Sequence, residues 1–167
     1  GYKSEVPAGW LSLLVNAGDG IDLDVFLTRQ PKDRMIRKLG QQLRINRSKI
    51  KETSDTNTDF DDLDSAIRSG YFLKDGLSNH EDFYYLNLLI TVTADNPDDL
   101  DWKCAEMKKL LISQDMNVQS CNFCQEQALL SSFPLVKLDK SLFERSKRNV
   151  LTLGAASCYP VSYTHPT

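Results

Sequence analysis

The chain has 167 residues, of which 41% are apolar and 26% charged, and its formal net charge is −3 at pH 7. This length is typical of one domain with its own hydrophobic core, and the composition excludes collagenous and low-complexity chains. No apolar run approaches the roughly 18 residues of a membrane-spanning helix, and no secretory signal is visible. Four cysteines without an export signal are typical of reduced thiols in the cytosol.

The N-terminal part predicts two short strands and a long helix. Apolar stretches at 10–16 and 21–28 flank a glycine-containing turn, and the second alternates apolar and acidic residues with the period of a half-buried strand. Together they predict a β-hairpin. Pro31 suits the first position of a helix, and apolar residues then recur at helical spacing as far as Ile50. We expect an amphipathic helix over about 32–51.

The middle of the chain predicts a loop, a short helix and the best strand. Residues 53–58 lack apolar side chains and predict a loop, and Asp59 can cap a short helix that ends at Gly70. Residues 74–80 are rich in turn formers, and the run 83–93 is apolar on both faces, as in a central strand. Asn96 and Pro97 then predict the start of a helix over 97–113.

A second strand predicted over 116–121 would complete a β-α-β unit with strand 83–93 and helix 97–113, and the crossover would be right-handed. Two further helices are predicted over 125–132 and from Ser141, as cap, to about Leu151. We therefore expect a single α+β domain: a β-hairpin plus a β-α-β unit, with flanking amphipathic helices.

Charge is segregated along the chain. Residues 29–51 contain nine basic residues and one acidic residue, whereas residues 52–101 contain thirteen acidic residues and two basic ones. Blocks of opposite sign can neutralise each other within one fold or face two different partners, and the sequence leaves both possibilities open. The candidate interaction face on the basic helix comprises Arg34, Arg37, Lys38, Arg44 and Arg47.

Motifs for chemistry are few. The chain has neither the GxxxxGK[ST] loop that cradles a triphosphate nor GxGxxG, and no second CxxC accompanies Cys121-Asn122-Phe123-Cys124 to form a zinc site. Because this CxxC follows a predicted strand and opens a helix, a thiol oxidoreductase using Cys121 and Cys124 is one alternative. A nucleic-acid-binding module using the basic helix 32–51 is another, although residues 27–59 lack aromatic side chains for stacking.

Three segments, in this order and spacing, resemble the N-terminal region of the large conjugation and type IV secretion ATPases, the CagE/TrbE/VirB family, in the form found in Gram-positive conjugative elements. They are KDGLSNHEDFYYLNLLITVTADNPDDLD at 74–101, QEQALLSSFPL at 125–135 and RNVLTLGAASCYP at 148–160. The resemblance covers roughly residues 20–160, and its second segment is the most specific.

The resemblance implies that residues 1–147 form an N-terminal α+β domain and that 148–167 lead into an ATPase domain. ATP and Mg²⁺ would bind only in that downstream domain, so the fragment would be non-catalytic, with no cofactor or metal residues. It would dock the motor onto inner-membrane channel components at the cytoplasmic face of the membrane, with neighbouring subunits as further candidate partners. Residues 161–167 depart from the family pattern, which predicts a truncated or non-native tail.

Overall fold

The computed structural model describes residues 9–52, 58–114, 116–135 and 137–156. They form a single α+β domain, which confirms the predicted fold class. The strands are β1 (Ile21–Gln30), β2 (Phe83–Val92) and β3 (Arg148–Leu151). The helices are α1 (Ser12–Val15), α2 (Lys32–Glu52), α3 (Thr58–Ser78), α4 (Pro97–Ser113), α5 (Gln125–Ser132), α6 (Lys140–Ser146) and α7 (Thr152–Ala156).

The three strands form an antiparallel sheet in the order β1-β2-β3, with β2 in the centre. β1 pairs with the whole of β2, from Ile21 opposite Val92 to Gln30 opposite Phe83. β3 pairs with the first four residues of β2 only. Because β2 has neighbours on both sides and helices on both faces, its alternate residues enter two separate cores.

The first face of the sheet carries Leu86, Leu88 and Ile90 of β2 and is covered by α1 and α4. Leu86 packs there with a group of buried side chains. These are Leu11, Leu14, Met107 and Leu111. Partly buried residues of β1 at alternate positions complete this core, as expected for a strand with one apolar face.

The second face of the sheet carries Phe83, Tyr85, Asn87 and Leu89 of β2, all buried. Near Phe83 and Tyr85 it is covered by the adjoining ends of α2 and α3 and by α6, and Leu151 of β3 shares this face. The buried side chains that pack there are Met35, Leu39, Leu77 and Leu151. The rings of Phe83 and Tyr85 meet edge to face, with 5.8 Å between their centroids.

A buried amide fixes α6 on this second face. Asn87 is 1% exposed, and its Nδ2 donates to the backbone oxygen of Phe143 at 3.0 Å and to Oγ of Ser146 at 2.8 Å. Its Oδ1 is buried without a hydrogen-bond partner among the described residues. Two donated hydrogen bonds from a central strand hold α6 in one position, because leaving these donors unpaired would cost free energy.

The predicted β-hairpin at the N-terminus is wrong. Residues 12–15 form the helical turn α1 instead of a strand, and β1 pairs with β2. The spacing explains the difference. Leu11 and Leu14 are three residues apart, so a helical turn places both side chains in the first core, where they are buried.

The predicted β-α-β unit is also wrong, because residues 116–121 form no strand and the sheet is antiparallel throughout. The Met116 N–H instead bonds to the oxygen of Leu111, and residues 117–120 are exposed. Val118 is the one aliphatic side chain among those four, which is too little apolar surface for a strand buried in a sheet.

Helix α3 does not end at Gly70 but continues through the predicted turn to Ser78. Both of its glycines are sites of close packing. A Cβ on Gly70 would lie 2.9 Å from Cδ2 of Leu43 on α2, and a Cβ on Gly76 would overlap the side chain of Leu151 on β3. Both glycines thus allow close approach between elements, and an added Cβ would have to displace a leucine side chain.

The C-terminal helix is shorter than predicted. It begins after Asp139, whose Oδ1 accepts from the Ser141 N–H at 2.8 Å, so Asp139 is the cap in place of Ser141. It ends at Ser146, and β3 follows because Val150 and Leu151 alternate between the first and second faces of the sheet. The predicted helices over 32–51, 97–113 and 125–132 and the strand over 83–93 are confirmed.

Candidate interaction surface

Helix α2 is amphipathic, with its basic side chains opposite its buried ones. Met35, Leu39 and Leu43 recur every four residues and are buried against the second face of the sheet and α3. Arg34 and Arg37 lie on the side of the helix turned away from them and are exposed. At 1.5 Å per residue, the 21 residues of α2 extend roughly 30 Å.

The outer half of the helix pair α2–α3 stands away from both cores. Residues 44–51 of α2 and 60–69 of α3 contain no buried side chain, whereas burial is complete near Leu77. We call these two ranges the arm. Arg44 and Arg47 lie on the arm, and Arg34, Arg37 and Lys38 lie closer to the sheet.

The five predicted residues fall into two groups. Within the described part of the chain, no side chain forms an ion pair with Arg34, Arg37 or Arg44. In contrast, Lys38 and Arg47 bind tyrosines: Lys38 Nζ donates to Tyr85 Oη at 3.3 Å, and Arg47 Nη1 donates to the hydroxyl of Tyr71 at 3.1 Å. The first group is therefore available for an external anion, and the second is partly committed to the fold.

Two lysines at the ends of α6, Lys140 as its first residue and Lys147 directly after its last, extend the basic region, and the sequence did not indicate them. Lys147 Nζ lies 5.3 Å from the centroid of the Tyr85 ring, while Lys38 Nζ lies 5.9 Å from the same centroid. The pKa of the Glu144 carboxyl is lowered by a hydrogen bond from Lys147 and by the charges of Lys147, Lys140 and Lys38. Lysines from two elements thus converge around Tyr85.

We call the combined set the basic surface. It consists of Arg34, Arg37, Lys38, Arg44, Lys140 and Lys147. Lys140 and Lys147 are separated from α2 by about a hundred residues of sequence. Local charge clustering could not have found them, because the docking of α6 brings Lys147 to the Tyr85 ring and Lys140 close to Glu144.

Among the described residues, the acidic block forms no ion pair with this surface; it meets the basic block instead at Arg29, which pairs with Asp82 at 2.9 Å. On α3, Asp64 pairs with Arg68 of the same helix at 2.7 Å, and Asp61 and Asp62 are exposed. The segregation seen along the chain therefore persists in the fold as two helices of opposite charge. Such surfaces are suited to partners of complementary charge.

Cys121 and Cys124 are brought together ahead of α5, and both thiols are free and half-buried. Burial raises the pKa of the Cys121 thiol, and the neighbouring Cys124 raises it further. This direction is the reverse of what a nucleophilic thiolate requires. The helix-start amides that the sequence suggested as an activating feature do not overcome the effect of burial. Cys158 lies outside the described residues.

A shallow polar depression lies between β1, β2 and α5. Its volume is about 310 Å³, and its lining is Asp22, Leu23, Asp24, Thr91 and Ser132. Partial burial raises the pKa of the Asp24 carboxyl, and the nearby Asp22 acts in the same direction. Among the described residues, no group of three or more His, Cys, Asp or Glu side chains is placed to hold a metal ion.

Comparison of the chain with protein-family models, with curated proteins and with solved structures finds no match. Across the described ranges, none of the helices combines the length and the apolar character needed to cross a lipid bilayer.

Proposed function

We propose that this chain is a non-catalytic docking domain of a conjugation or type IV secretion ATPase, and that its basic surface contacts acidic regions of inner-membrane channel components. The proposal assigns the chain to the cytoplasmic side of the membrane, held there by its partners. Its family assignment comes from the resemblance of residues 74–101, 125–135 and 148–160. ATP and Mg²⁺ would act in a domain that follows residues 148–167.

One observation carries the assignment of the surface: Arg34, Arg37 and Arg44 are exposed on α2 without an ion-pair partner among the described residues. Three guanidinium groups of this kind offer fork-shaped donors for carboxylates of a partner protein. Motion of a downstream motor would then reach the channel through α2, which is anchored in the second core by Met35 and Leu39.

The test is co-purification of the chain with the channel proteins encoded by the same conjugative element, using the double variant Arg34→Glu/Arg37→Glu. Each exposed ion pair contributes about 0.2–1 kcal/mol, so losing two pairs and adding repulsion should weaken binding on the order of tenfold. Higher salt should reduce binding of the unmodified chain.

A matched control carries the same change in net charge on the opposite side of the sheet. Lys108→Glu/Lys109→Glu alters α4, which covers the first face, and should leave binding unchanged. Arg34→Lys/Arg37→Lys keeps the charge and should retain most of the binding. Equal loss of binding with the α4 variant, or none with the α2 variant, would exclude the basic surface as the contact.

Binding of a labelled DNA duplex provides the test of the nucleic-acid alternative. A module that neutralises several phosphates loses affinity steeply as salt increases. Tight, strongly salt-dependent binding that Arg34→Glu/Arg37→Glu abolishes would favour that alternative over protein docking.

A further inference from the structure

Helix α5 is packed with its small and polar side toward the sheet. Ser131 is 2% exposed, and Cys124 and Ala128, at helical spacing before it, are half-buried. Ser131 Oγ donates to the oxygen of Gln127 at 2.7 Å and accepts from the Asp139 N–H at 3.0 Å. This side chain therefore holds α5 against the start of α6.

The large apolar side chains of the same segment point into solvent. Leu129 and Leu130 on the helix are 55% and 52% exposed, and Phe133 and Leu135 after it are 47% and 72% exposed. Phe123, ahead of the helix, is fully exposed and has a φ of 62°, a conformation that is unfavourable for a bulky residue. We call these five residues the α5 face.

This arrangement is the reverse of an ordinary surface helix, which turns its leucines toward the core. With individual side chains of roughly 150–250 Å² and about half or more of each exposed, the α5 face presents on the order of 500 Å² of apolar surface. An apolar patch of this size is about the largest that an ordinary monomer exposes, and such patches are often functional.

We infer that the α5 face is covered by the α5 face of a second copy of this chain, related by a two-fold axis. The exposed apolar area supports this occupant: a standard protein interface takes about 800 Å² from each partner, of which roughly 60% is apolar. The α5 face supplies an apolar centre of that size.

Charge also favours a second copy. Between Phe123 and Leu135 the chain carries one charged residue, Glu126, so two α5 faces can meet with little repulsion. The basic α2 and the acidic start of α3 would each repel their own copies. A lipid surface fits less well, because lipid-binding segments combine apolar residues with several lysines or arginines. This inference is independent of docking through the basic surface.

The experiment is sedimentation velocity on the 167-residue chain over a wide range of concentrations. We expect a monomer–dimer equilibrium that stops at the dimer, because a two-fold interface is closed. Leu129→Gln/Leu130→Gln removes apolar burial from both copies and should raise the dimer dissociation constant at least about a hundredfold. Because both leucines point outward, far-UV circular dichroism should be unchanged, and the unfolding midpoint should be unchanged at concentrations where both proteins are monomeric.

The control is Leu13→Gln/Leu153→Gln, which changes two exposed leucines outside α5 and should leave the dimer intact. The inference is overturned if the unmodified chain is monomeric at every concentration, or if the α5 variant dimerises as strongly as the unmodified chain. It is equally overturned if the chain stays monomeric but binds phosphatidylserine vesicles in a way that Leu129→Gln/Leu130→Gln abolishes. Dimerisation that is lost with Arg34→Glu/Arg37→Glu and retained with the α5 variant would place self-association on the basic surface, and would likewise overturn it.

Discussion

Replacing two glycines with alanine should change stability in opposite directions. In Gly40→Ala the added Cβ meets nothing within 4 Å, so α2 gains the better helix propensity of alanine, about 1 kcal/mol. In Gly76→Ala the same gain applies to α3, but the Cβ overlaps the side chain of Leu151. Leu151 is 5% exposed and packs in the second core beside Phe83, so moving its side chain would disturb buried neighbours.

Overpacking of this kind costs about 1–3 kcal/mol. Because both variants share the same propensity gain, the difference between their free energies of unfolding measures the packing cost directly. Urea-induced unfolding followed by circular dichroism gives both values. Gly40→Ala should unfold at a higher urea concentration than the unmodified chain, and Gly76→Ala at a lower one.

A double-mutant cycle makes the test specific. Leu151→Ala alone should cost about 2–5 kcal/mol, but it opens the space that a Cβ at residue 76 needs. Gly76→Ala should then no longer destabilise the Leu151→Ala background. If Gly76→Ala instead raises the stability of the unmodified chain as much as Gly40→Ala does, residue 76 does not pack on β3, and the close approach of α3 to that strand is refuted.

Three further outcomes follow from individual side chains. Asn96 Oδ1 accepts from the Asp99 N–H at 2.8 Å, so Asn96→Ala should lower the free energy of unfolding by about 1 kcal/mol in urea titrations. Asn96→Asp, which keeps an accepting oxygen, should leave it unchanged. If Asn96→Ala and the unmodified chain have equal free energies of unfolding, the cap is excluded. The raised pKa of Asp24, due to burial and Asp22, means that its ionised form destabilises the fold, so Asp24→Asn should increase stability at neutral pH. That gain should disappear as the pH falls through the raised pKa, and a pH-independent gain would rule out ionisation of Asp24 as its source. Alkylation of Cys121 by iodoacetamide should reach half its maximal rate at a higher pH than a cysteine in an unstructured peptide, and a lower midpoint would favour the redox alternative.

Elements with complete local signals were predictable from the sequence. Helix α4 begins with a capping Asn96 followed by Pro97, and β2 is a long apolar run, so neither depends on distant residues for its recognition. Helix α2 has a buried stripe and a proline before it, and its basic face follows from the same periodicity. The exposed positions of Arg34, Arg37 and Arg44 could therefore be derived from the sequence of α2 alone.

Elements whose formation depends on distant partners could not be predicted. The sequence alone does not distinguish a glycine that ends a helix from a glycine that allows close packing. The role of Gly76 depends on β3, which lies against it in the fold. Similarly, Val150 and Leu151 continue a helical pattern in the local sequence, but in the fold they form a strand because they pair with β2. Tertiary pairing overrides local preference in both cases.

The same distinction applies to the basic surface. Charge clustering identified the α2 residues but treated all five alike. Tyr85 and Tyr71, which hold Lys38 and Arg47, lie on other elements, so this difference is invisible in the sequence of α2. Lys147 joins the surface through contact with the same Tyr85 ring.

The position of the arm within the chain has a consequence for how far it reaches. Gln30 lies opposite Phe83, so α2 and α3 leave and rejoin the sheet at the same end of two paired strands. Among the side chains that the structure describes, Leu43 is the last buried one of α2 and Gly70 is the first buried residue of α3, so extra helical turns beyond them would leave both cores and the strand register intact. Adding about seven residues to each helix would carry the tip roughly 10 Å farther out. The length of the arm can therefore change without refolding the rest of the domain.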